Sequence, residues 1–115
     1  MRVAKRLYRK DIESIVVKRK QYRNASFTAA KLAEMLGVPN YKLSRIMRAE
    51  LGVTFSEYVL SRRVEDAKKF LHDSDYAHLT VDDIGVMVGF GNRQSFFDAF
   101  RRYAQTSPDK YKKQL

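Results

Sequence analysis

Two short stretches carry the side chains best suited to reading a polar surface. NYKLSRIMR, residues 40–48, holds Asn40, Tyr41, Lys42, Ser44, Arg45 and Arg48. NRQSFFDAFRR, residues 92–102, holds Asn92, Arg93, Gln94, Ser95 and Arg101. Arg matches the O6 and N7 acceptors of guanine with two donors, and Asn or Gln pairs with the N6 and N7 edge of adenine. A Tyr ring can lie against a sugar or a thymine methyl. The chemistry expected of these residues is non-covalent readout of base edges. Lys42 and Arg45 lead the first set, with Tyr41 behind them and Asn40 beside them. Arg93 and Gln94 lead the second, with Asn92 and Ser95. Backbone phosphates demand less geometry. Ser44, Arg48, Arg101 and Lys112 could serve them, as could helix N-termini at Thr28, Thr80 and Ser107. Arg62 and Arg63 are weaker candidates, because the helix that carries them must hide one side. Asp98 either accepts from a cytosine amine or orients Arg93 or Arg102.

Covalent chemistry is not expected. The chain has no Cys and only two His, His72 and His78, which stand six apart across a polar break in no ligand spacing. No HExxH occurs, and Gly85, Gly89 and Gly91 follow no strand and precede no Lys-Ser/Thr, so they form no phosphate loop. The expectation is no catalytic residue, no metal, no cofactor and no small-molecule ligand. Charge points elsewhere. The 115 residues carry 23 Lys and Arg against 13 Asp and Glu, a formal net charge of +10. Residues 1–23 alone hold nine basic and two acidic side chains. A polyanion is the natural partner, nucleic acid first and an acidic membrane or protein surface second. No apolar run is long enough to span a membrane. The opening MRVAKRLYRK lacks the apolar core of a secretory signal.

The elements that must position these side chains show a repeat. Residues 28–58 align with 80–111: Thr28 with Thr80, Leu32 with Ile84, Ala33 with Gly85, Met35 with Met87 and Gly37 with Gly89. One extra residue in the second turn then aligns Leu43 with Phe96, Met47 with Phe100 and Tyr58 with Tyr111. In each copy a Thr caps a short helix, over 29–36 and 81–88. A small residue lets the next helix cross closely, and a Gly turns the chain into a second helix, over 41–50 and 93–103. This is a helix-turn-helix written twice. Between the copies, Thr54 and Glu57 form a capping box for one helix over 55–72, about 27 Å long at about 1.5 Å per residue. Its inward stripe runs through Phe55, Val59, Arg63 and Ala67. Residues 8–22 read as a first helix and 107–114 as a last one, with Pro108 at its first position. Phe96, Phe100 and Tyr103 follow helical spacing and belong to a core. Phe97 is the exception, packing on Tyr111 or the linker. The fold class is all-α with about seven helices: a domain over 1–115 with a first helix-turn-helix subdomain at 8–53, a linker helix at 54–72 and a second subdomain at 79–115.

The run FTAAKLAEMLGVPNYKLSRIMRAELGVTFSEYV, the linker RVEDAKKFL, the stretch LTVDDIGVMVGFGNRQSFFDAF and the closing SPDKY resemble the DNA-binding domain of the AraC/XylS family of bacterial transcription regulators. The resemblance covers nearly the whole chain and is most specific over 27–112. KQYRNASFT resembles the variant found in Bacteroidetes-type regulators, often fused to sensor modules. The resemblance implies a homeodomain-like, monomeric unit whose two recognition helices enter successive major grooves of double-stranded DNA, about 34 Å apart. It implies base contacts around Tyr41, Lys42 and Arg45 and around Asn92, Arg93, Gln94 and Ser95. It also implies activation through RNA polymerase and a fused sensor or dimerisation domain outside this chain. The expected setting is the cytoplasm, or the cytoplasmic portion of a membrane-linked regulator. Two positions depart from the family pattern. Gly85 replaces an Ala, at a cost of up to about 1 kcal/mol in helix propensity. Gln105 stands where Gly usually ends the second recognition helix, so that helix is expected to end by another route. The alternatives are a protein-interaction module that keeps the scaffold and a nonspecific nucleic-acid binder.

Overall fold

A computed structural model describes residues 7–114, and every regular element among them is helical. Seven α-helices follow in order: α1 (Arg9–Glu13), α2 (Ala29–Leu36), α3 (Leu43–Leu51), α4 (Phe55–Leu71), α5 (Val81–Met87), α6 (Arg93–Ala104) and α7 (Pro108–Lys113). The basic residues Arg2, Lys5 and Arg6 lie outside the described residues. The molecule is elongated, 59 × 24 × 22 Å, with two apolar cores strung along α4. Ile12, Val16, Leu32, Leu43, Met47 and Val59 centre the first. Val64, Ile84, Val88, Phe96 and Phe100 centre the second.

The continuous first helix expected over 8–22 is not there. α1 passes into a π-helical turn over Ser14–Lys18, where the Arg19 N–H donates to the Ser14 carbonyl at 2.9 Å. Lys20 then takes a left-handed backbone (φ 56°), and a 3-10 turn follows over Gln21–Arg23. The reason lies in the phase of the pattern. Ile12, Ile15 and Val16 face the core, so an unbroken α-helix would next aim Arg19 and Arg23 inward. The break leaves Arg19 exposed, turns Arg23 onto Asp66 of α4 and delivers Tyr22 to the core instead.

The duplicated turn is repeated bond for bond. The Gly37 N–H donates to the Glu34 carbonyl at 3.1 Å and the Val38 N–H to the Ala33 carbonyl at 3.0 Å. In the second copy Gly89 donates to Val86 at 3.1 Å and Phe90 to Gly85 at 3.0 Å. This paired bonding satisfies the last carbonyls of α2 and α5 and reverses the chain. Gly85 is no defect. A Cβ added there would lie 2.5 Å from Cδ2 and 2.9 Å from Cγ of the buried Phe96 ring, so the close crossing of α5 and α6 needs the missing methyl. α6 ends by the left-handed route after all, because Gln105 itself adopts φ 61° and its N–H donates to the Arg101 carbonyl. The ring that meets Tyr111 is Phe100, at 5.5 Å; Phe97 sits edge-on to Phe96 instead. The polar break after α4 holds a 3-10 turn at Ser74–Tyr76, and His72 stacks on Tyr111 at 4.1 Å.

Candidate nucleic-acid interface

In the first copy three of the base-reading candidates, Asn40, Tyr41 and Lys42, precede the helix, and Arg45 alone rides its first turn. Pro39 enters in extended backbone, and Asn40–Lys42 form a 3-10 turn that leads into α3 at Leu43. α3 buries Leu43 and Met47, the two positions one helical turn apart. Its opposite face therefore leaves Ser44, Arg45 and Arg48 exposed, alongside Asn40, Tyr41 and Lys42. Tyr41 is 80% exposed, far beyond what a ring of that size has when it serves a core. Lys42 Nζ lies 6.0 Å from the centre of its ring.

In the second copy Asn92 is the N-cap of α6, its Oδ1 accepting the Ser95 N–H at 2.8 Å. A bidentate grip on adenine needs that same oxygen, so Asn92 keeps only its amide donors free of the cap. Arg93, Gln94 and Ser95 follow, all exposed. Arg93 is held on two sides: it pairs with Asp82 of α5, and its guanidinium lies 4.1 Å from the centre of the Phe97 ring. Phe97, packed inward against Phe96, is covered by Arg93 and by Arg101, 5.8 Å from its centre. Asp98 meets Arg101 at 3.9 Å, not Arg93 or Arg102 as the spacing suggested. Arg93, Gln94, Phe97, Arg101 and Ser107 line one open depression between α6 and the start of α7. Asp82 was missed from sequence. It stands eleven residues before Arg93 on another helix, and no local spacing links the two.

The phosphate candidates differ in how free they are. Ser44 and Arg48 are exposed on α3. Thr28 Oγ1 accepts the Lys31 N–H at 3.2 Å, and no acid stands in the first turn of α2. At Thr80 the N–H donates to Asp83 Oδ2 and the hydroxyl oxygen accepts the Asp83 N–H, both at 3.0 Å. With Asp82 and Asp83 in its first turn, that helix start opposes an anion. Ser107 Oγ accepts the Lys110 N–H at 3.2 Å, and Pro108 supplies no donor. Lys112 Nζ donates to the Leu79 carbonyl at 3.0 Å, tying α7 to the chain before α5. Arg63 is buried, with Nε and Nη2 donating to backbone carbonyls; Arg62 is exposed over Tyr58.

Among the described residues no helix is long and apolar enough to cross a membrane, and no cluster of three or more His, Asp or Glu could hold a metal.

Comparison with known proteins agrees with this geometry. A family model described as "Helix-turn-helix domain" matches residues 32–114. The chain is 31% identical over 90 residues to "Probable transcription factor PqrA" of Proteus vulgaris, covering 78% of this chain and 71% of that protein. Longer relatives exist, and of one of these the chain spans 9%. Among solved structures, the C-terminal domain of the two-component response regulator yesN from Fusobacterium nucleatum is 29% identical with a TM-score of 0.81, over 90% of this chain and 96% of that one. The DNA-binding domain of AdpA, solved with a target DNA, shares the fold at 20% identity and a TM-score of 0.79, over 93% and 91% of the two chains. Two exposed basic-polar faces on a duplicated helix-turn-helix, and these similarities, place the chain in the AraC-type helix-turn-helix family of DNA-binding transcription regulators.

Proposed function

We propose that this chain reads double-stranded DNA at a bipartite site, with the Asn40–Lys42 turn and α3 in one major groove and the start of α6 in the next. The observation that carries the reading is the matched exposure of both second helices. Each buries an apolar stripe and leaves Arg, Lys, Gln, Asn or Ser facing out at its N-terminal end, the end that meets base edges in such motifs. Tyr41, Lys42 and Arg45 read one half-site; Arg93 and Gln94 read the other. Ser44, Arg48 and Arg101 hold phosphates, as does the start of α2 at Thr28. The starts at Thr80 and Ser107 and the ammonium of Lys112 contribute less, because Asp82 and Asp83 oppose an anion at the first, Pro108 removes a donor at the second, and Lys112 is already tied to the Leu79 carbonyl. The fold and a net charge of +10 support the duplex as partner. The whole protein acts as an activator in the cytoplasm, touching RNA polymerase and taking its signal from a fused sensor or dimerisation domain.

Selection of bound duplexes from a random pool tests this. The expected product is two conserved blocks about one helical turn, or 10–10.5 base pairs, apart. Binding with no selected sequence, governed by salt alone, would mean nonspecific packaging. No duplex affinity even at low salt would mean a protein-docking scaffold.

A further inference from the structure

Two apolar cores on one shared helix would, by themselves, leave a hinge in the middle of α4. The first core ends on α4 at Tyr58 and Val59; the second takes over with the half-buried Leu60, and its first fully buried residue on α4 is Val64. Beside that junction lie Arg63 and Asp66, the two buried charged residues among those described. Burying either charge is strongly unfavourable unless it is paired and hydrogen-bonded. Both are satisfied by one element, the 3-10 turn Gln21–Arg23 and the residue after it. Arg63 Nε donates to the Tyr22 carbonyl at 2.6 Å, and Nη2 donates to the Asn24 carbonyl at 3.2 Å. Asp66 accepts from Arg23 through both oxygens, from Nε at 2.6 Å and from Nη2 at 3.0 Å. The Arg23 guanidinium also lies 5.3 Å from the Phe70 ring centre.

The second half arrives at the same point. Gly89, in the turn between α5 and α6, has φ +113°, and a Cβ there would lie 2.3 Å from the Tyr22 carbonyl oxygen and 2.8 Å from Arg63 Nε. Arg63 spans the gap further, its guanidinium 5.6 Å from the ring centre of Phe90. The turn that opens the first helix-turn-helix thus meets the turn inside the second, and α4 hydrogen-bonds to the first while laying the Arg63 guanidinium against Phe90 of the second.

We propose that this polar seam fixes the distance and rotational phase between the two reading helices, and so makes half-site spacing part of the protein's specificity. Arg23, Arg63, Asp66 and Gly89 are positioning residues that touch no base. The proposal rests on the bipartite reading above. Its physics is that of a bivalent ligand: a stiff connection engages both sites at one spacing only, whereas a loose one tolerates several spacings at lower peak affinity. Guanidinium suits the task because it stays charged when buried and its fork meets two acceptors at once.

The test compares the wild-type chain, Arg23→Ala/Asp66→Ala and the charge reversal Arg23→Asp/Asp66→Arg on duplexes carrying both selected half-sites. One or two base pairs are added to or removed from the spacer, and a duplex with one half-site serves as reference. One base pair turns the second site by about a tenth of a turn. Wild type is expected to lose about tenfold or more in affinity for each such change. The double-alanine variant should lose less than about threefold, with single-half-site affinity unchanged, and the reversal should restore the wild-type profile. A folded double-alanine variant with the wild-type spacing profile overturns the proposal. So does an equal loss on every duplex, which would mark a role in stability alone.

A second readout needs no DNA. The chain has no Cys, so spin labels can be attached through Ala49→Cys on α3 and Arg102→Cys on α6, both exposed. The label distance should be narrowly distributed in wild type and broadened in the double-alanine variant. Equal widths overturn the seam even if no duplex binds, whereas a broadened distribution with no duplex affinity sinks only the DNA reading. If the double-alanine variant does not fold, Arg23→Gln carries both readouts.

Discussion

Arg45 and Arg93 occupy comparable places in the two copies but not comparable surroundings. Arg45 is exposed on α3, whereas Arg93 is pinned by Asp82 and covers Phe97. Arg45→Ala should therefore relax base preference in one half-site by about 1–3 kcal/mol and leave the melting temperature unchanged. Arg93→Ala should relax the other half-site by a similar amount and also lower the melting temperature, because it uncovers a buried ring. Affinity measured on single-base variants of the selected site, together with thermal melts, checks both. Equal weakening on all sequences would make these arginines phosphate contacts. Gly85→Ala sets two effects against each other. Alanine gains about 1 kcal/mol in helix propensity, but overpacking against a fixed ring costs about 1–3 kcal/mol. Phe96 is 1% exposed and has nowhere to retreat. We expect a net loss of stability, read as a lower melting temperature; an unchanged or higher one would show that α5 and α6 can part without penalty.

At the scale of elements, most helix starts were legible because capping is local chemistry. Thr28, Thr54, Thr80 and Ser107 each accept an N–H three residues on, as expected, and Asn92, read in the sequence as a base contact alone, does the same. Two of these caps are reciprocal boxes, and there the acids respond. Glu57 and Asp83 are held below the ordinary carboxylate range, first by the backbone N–H of Thr54 and Thr80 and then by their hydroxyls. A lowered folded pKa contributes stability above the unfolded value and loses it as pH falls through the folded one. Thermal midpoints should be flat from neutral pH down to the ordinary carboxylate range and fall below it. Glu57→Gln/Asp83→Asn should fall less steeply over that window. Parallel acid limbs in the two proteins would exclude the boxes as the cause. The π-turn after α1 was not legible in the same way. Apolar spacing marks Ile12, Ile15 and Val16 as inward, but ending the helix there depends on Tyr22 finding a place in a core built by distant residues.

The whole molecule is a basic rod whose two cores share α4. Its affinity for any duplex should fall linearly with the logarithm of salt concentration, with a slope of about −0.9 per phosphate neutralised. Arg48→Ala should make that slope shallower by about one contact while leaving base preference intact. Titrations of the selected and a scrambled duplex over a salt series check this. A change in preference would place Arg48 among the base readers.

Composition, capping residues and the 52-residue repeat by themselves determined an all-helical chain, its doubled motif and the exposed sides of α3 and α6. These rest on interactions three to five residues apart, which a linear pattern records. Only the tertiary structure decided which carbonyls the inward Arg63 meets, that Asp82 holds Arg93, and that Gly89 meets Tyr22. Those contacts join residues 11 to 67 positions apart. Whether a buried charge finds its partner across such a distance depends on how the helices cross, and no local period encodes a crossing.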